Sequence, residues 1–204
     1  MRILLLIAFG MVLQGAFGQG AQPYAPGWTV AEVAAADLAR GETAWTDEEK
    51  NALLHVNLAR LYPSKYWNIE VEPWDPGEKY QRDDAKELAS LKRTLVSMAP
   101  VAALVPSAAL RDEAECLAKL QARTGAIGHE RGSRCPIAPQ QMWAENCSYG
   151  YSDGRDIIIS LLIDEDVPSL GHRENCLDPG LKRCGIFQGD HARYGGMAVM
   201  DFAQ

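Results

Sequence analysis

Three short polar segments in the second half of the chain carry side chains that can hold a metal ion or transfer protons. They centre on His129, Glu145 and His172. Two imidazoles with a carboxylate can bind zinc or another divalent ion, and an open coordination position on that ion promotes hydrolysis. Without a metal, the same groups can act as acids and bases because histidine titrates near neutral pH. Structural roles stay open as well: Glu145 can hold a loop, and His172 can cap a helix.

The elements that must position these side chains follow from caps and apolar spacing. A capping-box pattern at Thr46 opens an amphipathic helix that Pro63 ends. Ser107 caps a later helix that Gly125 stops. The segment from Gly154 to Asp164 reads as a strand by propensity, although its length and an Asp153 cap also permit a buried helix. The remaining predictions are a short helix within 29–40, a helix at 83–98, a loop at 125–140, and strands at 185–187 and 196–202.

The first 18 residues have the pattern of a signal peptide. Arg2 precedes an apolar run from Ile3 to Leu13, and Ala16 and Gly18 supply small residues for cleavage after Gly18. The run is too short to span a bilayer, which needs about 20 residues. A buried N-terminal helix is the alternative interpretation. We therefore expect a secreted or periplasmic protein without a transmembrane span.

Charge argues against nucleic-acid partners. The chain has a net charge of −7, and removal of the predicted signal peptide, whose one charged residue is Arg2, makes it −8. Binding to phosphates needs clustered Lys and Arg, which an acidic chain of this size lacks.

The five cysteines predict disulfides, since an exported chain meets an oxidising compartment. The number is odd, so at least one thiol is left over or pairs between chains. The sequence does not choose the pairing. A turn at residues 178–180 favours Cys176 with Cys184, followed by Cys135 with Cys147. Cys116 lies on a helical face and is expected to be a buried free thiol.

In their order along the chain, the polar segments resemble one known family, the cysteine-rich secretory, antigen 5 and pathogenesis-related 1 (CAP) superfamily, in a bacterial-type exported form. The resemblance covers about residues 46–204 and is strongest from Ala108 onward. Residues 19–45 then form a linker or arm, and 68–100 an insertion. The residues that carry the resemblance are Gly128-His129, Glu145-Asn146, Gly171-His172-Arg173, Asn175 and the final Asp201-Phe202.

This resemblance implies an α+β fold, a three-layer α-β-α sandwich with a central antiparallel sheet. It also implies a cleft formed by His129, His172, Glu145 and a second acid, best matched by Asp164. The two histidines, with Glu145, would hold a divalent metal, zinc being favoured. We expect a module that binds a small-molecule or lipid ligand, or an extracellular or cell-surface partner. The alternative is a metal-dependent or His/Glu-assisted hydrolase acting on peptide or ester bonds.

Overall fold

The structure is a computed structural model and describes residues 23–75, 77, 85–137 and 142–204. The predicted signal peptide lies outside these residues. Within them, no helix combines the length and the apolar character needed to cross a bilayer. The described residues form the α-helices α1 (Val30–Ala36), α2 (Asp47–Leu61), α3 (Pro63–Tyr66), α4 (Ala85–Ser97), α5 (Ala108–Thr124), α6 (Gly154–Ile163) and α7 (Gly171–Leu177), together with a π-helical turn at Trp67–Val71 and a 3-10 turn at Gly132–Arg134. The strands are β1 (Val105–Pro106), β2 (Ala144–Tyr149), β3 (Arg183–His191) and β4 (Gly195–Ala203).

Local signals explain where the main helices begin and end. Thr46 and Glu49 form a reciprocal capping box at the start of α2. The Ser107 hydroxyl accepts from the third residue of α5, and Gly125 ends that helix in the left-handed conformation. The segment with two possible interpretations is the helix α6, with Asp153 as its cap and its apolar residues buried on all sides.

The four strands form one sheet in the order β1-β3-β4-β2. Strands β3, β4 and β2 are antiparallel, as predicted, and the two-residue β1 runs parallel to β3, which makes the sheet mixed. Helix α5 covers one face of the sheet, and α2, α6 and α7 cover the other. The α+β sandwich fold is therefore confirmed. Strand β2 lies at one edge and has β4 as its neighbour.

A disulfide is present, as predicted, but the predicted pairing and the predicted free thiol at Cys116 are wrong. Cys116 on α5 is bonded to Cys135 in the following loop, with Cα atoms 5.6 Å apart. Cys147, Cys176 and Cys184 are buried free thiols. The pairing follows from the path of the loop, which turns back along α5 and brings Cys135 to the side of that helix.

A buried arginine replaces the predicted bridge between Cys176 and Cys184. The guanidinium of Arg60 donates to the backbone oxygens of Cys176 (2.8 Å), Asp178 (3.0 Å) and Leu181 (3.0 Å). These bonds hold the turn that was expected to need a disulfide. Burial raises the pKa of the Cys176 thiol to about 12, so that thiol stays protonated at neutral pH.

Helix α5 packs very closely on the sheet at Gly185 in β3. A Cβ atom at this position would overlap the backbone nitrogen of Arg111 and the carbonyl carbon of Leu110. We expect Gly185→Ala to lower the free energy of unfolding by about 2–3 kcal/mol, because the helix must move away from the sheet. Urea denaturation measures this. Gly189→Ala in the same strand is the control, since its Cβ would meet a ring atom of Phe187 at 3.1 Å. Equal losses in the two variants would contradict the prediction.

Candidate functional site

The loop after α5 and strand β2 bring His129 and Glu145 together. His129 Nδ1 lies 2.7 Å from Glu145 Oε1. The Cys147 thiol, two residues further along β2 and therefore on the same face, completes the group. Its sulfur lies 3.8 Å from His129 Nδ1 and 3.9 Å from Glu145 Oε1. The His129 side chain is 57% exposed and that of Glu145 only 6%, so the group sits at the surface with its acid inside.

Arg131 holds the other side of Glu145. One guanidinium nitrogen contacts both Glu145 Oε2 and Asp201 Oδ2, the latter at 2.6 Å. A second nitrogen donates to the backbone oxygen of Glu113 on α5 at 2.8 Å. Glu145 and Asp201 are direct partners across β2 and β4, so two carboxylates point to the same face and share one cation.

Burial shifts the pKa values of two groups in this network. It raises the pKa of the Asp201 carboxyl above its ordinary range, and Arg131 opposes that rise. The pKa of the Cys147 thiol is raised to about 12, first by burial and then by the negative charge of Glu145. The thiol is therefore protonated at neutral pH in the metal-free protein and is a poor nucleophile.

His172 and Asp164 form the second pair. His172 Nδ1 lies 2.7 Å from Asp164 Oδ1, while Asp164 Oδ2 accepts from the backbone amides of His172 (3.0 Å) and Arg173 (3.2 Å). Asp164 ends α6 in a left-handed conformation with φ 60°. From there its carboxylate reaches the first turn of α7, so His172 is held at a helix start.

A cavity of about 200 Å³ lies between β2 and the end of α6. Its walls include His172, Asp164 and Cys147, so Cys147 belongs both to this cavity and to the group around His129. Asn146, on the opposite face of β2 from Glu145, donates to the backbone oxygen of His172 at 3.0 Å. Strand β2 thus connects the two histidine–acid pairs. The remaining lining residues are Ser148, Tyr149, Tyr151, Ser160, Leu161, Ile163, Glu165 and Val167.

Among the described residues, one group of three His, Cys, Asp or Glu side chains is compact enough to share a metal ion. It consists of His129, Glu145 and Cys147, whose donor atoms all lie within 4.8 Å of one another. Zinc bond lengths put tetrahedral N, O and S ligands roughly 3.4–3.6 Å apart. The two distances to sulfur are close to this, and the His–Glu distance is that of a hydrogen bond. These residues therefore fit zinc after a small expansion, with His172 outside the group.

The chain matches no protein-family model and no curated protein. Membership of the CAP superfamily therefore stays a prediction, as do export and the metal. The geometry described above stands independently of that resemblance.

The sequence did not predict the roles of three residues in this site. These are Arg131 and Asp201, which hold Glu145 in its network, and Cys147, which is a possible metal ligand. The sequence signal that could have identified them is the alternation of side-chain direction along a strand. Residues two apart in a strand share a face, which places Cys147 beside Glu145. Asp201 is an acid within an almost wholly buried strand, and a buried acid requires a partner.

Proposed function

We propose that this protein is an exported CAP-like module that binds a divalent metal, with zinc favoured, and captures a ligand in the adjoining cleft. The observation that carries the proposal is the compact group of His129, Glu145 and Cys147. Imidazole, carboxylate and thiolate suit zinc, whereas magnesium and calcium favour oxygen ligands. Three protein ligands leave one position for water or a ligand atom.

The cavity beside the group supports ligand capture. Because Cys147 contributes to both, a molecule in the cavity would lie against the strand that carries Glu145 and Cys147. The His172–Asp164 pair in the cavity wall offers hydrogen bonds to a small polar molecule, and Leu161 and Ile163 offer apolar contact. The proposed ligand is a small molecule, a lipid, or a segment of an extracellular or cell-surface partner. The proposed location of the protein is secreted or periplasmic.

One observation favours hydrolysis as a second candidate. The ring of His172, held by Asp164 through Nδ1, lines the cavity and could accept a proton from water there. Bound zinc supplies Lewis-acid activation of water or of a carbonyl group. Covalent catalysis by Cys147 is disfavoured, because its pKa of about 12 leaves little thiolate in the metal-free protein.

Calorimetric titration of chelator-treated protein with zinc tests the proposal. We expect saturable binding of one ion at micromolar or lower concentration. His129→Ala and Cys147→Ser should each weaken it by more than the roughly 10–100-fold that outer-shell changes cost. His172→Ala is the matched control and should bind zinc like the unaltered protein.

Cobalt(II) gives a second readout, because a thiolate ligand produces a charge-transfer absorption in the near ultraviolet. This band should be present in the unaltered protein and absent in Cys147→Ser. The proposal fails if zinc does not bind, or if His129→Ala and Cys147→Ser bind it with unaltered affinity. Equal weakening in His172→Ala would instead support the two-histidine site with Glu145 that the sequence predicts.

A further inference from the structure

The geometry points to Tyr149 and Gln121 as positioning residues that hold His129 against Glu145. This inference rests on the metal function proposed above and deepens it, since neither residue supplies one of the three donor atoms. Both bind Gly128, the residue directly before His129, and Tyr149 also interacts with the Cys147 thiol.

Gly128, Tyr149 and Gln121 form a closed ring of hydrogen bonds. The backbone amide of Gly128 donates to the Tyr149 hydroxyl at 2.9 Å, and this hydroxyl donates to Gln121 Oε1 at 2.8 Å. Gln121 Nε2 then donates to the backbone oxygen of Gly128 at 2.6 Å. Both backbone polar groups of Gly128 are therefore fixed by side chains from elsewhere in the fold.

Gly128 has φ +92°, a conformation that L-residues rarely adopt. Space is not the reason for glycine here, because a Cβ atom at this position would meet no atom within 4 Å. The ring of bonds and the unusual φ together set the direction in which the chain enters His129.

The ring is anchored in rigid elements. Gln121 lies in the last turn of α5 and is 2% exposed, and Tyr149 is the last residue of β2. The Tyr149 ring packs edge-on against His191 with centroids 5.3 Å apart. His191 Nδ1 accepts from two backbone amides, so its Nε2 carries the proton and donates to the backbone oxygen of Ala126 at 2.9 Å.

The exposed position of His129 makes this support important. With more than half of its side chain in solvent, the imidazole has little packing of its own to hold it. Groups that orient a metal ligand without touching the metal commonly contribute 10–100-fold to affinity. Tyr149 and Gln121 supply this orientation through the backbone of the loop.

The test compares Tyr149→Phe with Tyr194→Phe in full-length protein, using zinc calorimetry. Tyr194 is the matched control, because it packs in the same aromatic cluster, 5.7 Å from Tyr149, outside the ring of bonds. We expect Tyr149→Phe to weaken zinc binding by about 10-fold or more. Its thermal midpoint should fall no further than that of Tyr194→Phe. Gln121→Glu breaks the ring at its other side and is expected to weaken zinc binding similarly.

Amide hydrogen exchange of the metal-free protein separates this inference from the proposed function. Loss of the Tyr149 hydroxyl should accelerate exchange at Gly128 without affecting the strands. If zinc does not bind the unaltered protein, the metal function falls and the exchange result alone decides whether the ring holds the loop. Unaltered zinc affinity in both Tyr149→Phe and Gln121→Glu would overturn the inference, as would unaltered exchange at Gly128.

Discussion

Replacing Arg131 by methionine is expected to lower the free energy of unfolding by about 3–5 kcal/mol at pH 7.5. The substitution leaves Glu145 and Asp201 facing each other across adjacent strands without their shared cation. Both carboxylates are shielded from water, so solvent cannot compensate for the lost pairing. Urea denaturation with a chelator present measures the effect without a contribution from metal.

The same variant should show a characteristic pH dependence. Burial raises the pKa of Asp201 and Arg131 opposes the rise, so removing Arg131 leaves the increase unopposed. A carboxyl whose pKa is raised by folding contributes stability that is complete below the unfolded-state value of about 3.9. That stability is lost as pH rises through the folded-state value. The pKa of Asp201 is already raised to about 8 in the unaltered protein, so the deficit of Arg131→Met should shrink mainly on going from about pH 10 to 8, and adding Asp201→Asn should remove most of this slope. A deficit independent of pH would contradict the explanation.

Replacing Arg111 by methionine is expected to have a similar cost, about 3–5 kcal/mol, on the other side of α5. Two nitrogens of Arg111 each lie 3.0 Å from an oxygen of Glu49, which is fully buried between α2 and the sheet. Burial lowers the pKa of Arg111, but the Glu49 carboxylate more than offsets this, so the net pKa is raised. Without the guanidinium, the donors that the described residues leave to Glu49 are the backbone amides of Thr46 and Gln188.

A double variant and an exposed ion pair provide the controls for Arg111. Adding Glu49→Gln to Arg111→Met removes the unpaired charge and should recover a large part of the loss. Arg40→Met breaks the exposed pair with Asp37 and should cost less than about 1 kcal/mol. Chemical denaturation of the four proteins decides the matter. An Arg111→Met loss no greater than that of Arg40→Met would show that the buried pair contributes little.

The sequence predicted those parts of the fold that local chemistry determines. Thr46, Ser107 and Gly125 each act on a backbone group within four residues, so the bounds of α2 and α5 follow from short motifs. Helix α6 was ambiguous because β-branched isoleucines favour strands, whereas burial on all sides permits either structure. Contacts with α2 and β2 decide between them, and such contacts are not visible in a single segment.

The candidate site shows the same difference between residues that short motifs indicate and contacts between residues far apart in the chain. Each histidine lies beside one of the two predicted acids, a pairing that the sequence did not assign. The contact between Arg131 and Asp201, by contrast, joins residues 70 positions apart and depends on the pairing of β2 with β4. The disulfide failed for a related reason: Cys116 bonds Cys135 because of where the loop turns back. The spacing of the cysteines along the chain does not show the direction in which the loop turns.

The Cys116–Cys135 bond joins α5 to the loop that carries His129, and the core does not contain it. Packing of α5 on the sheet needs no oxidant. The bonded segment, however, contains Gln121, Gly128, His129 and Arg131, and the disulfide adds a covalent tie to the hydrogen bonds that Gly128 and Arg131 make. In a reducing compartment the loop would keep these hydrogen bonds but lose its covalent tie to α5. We therefore expect the proposed zinc affinity of the site to be highest where these two thiols are oxidised.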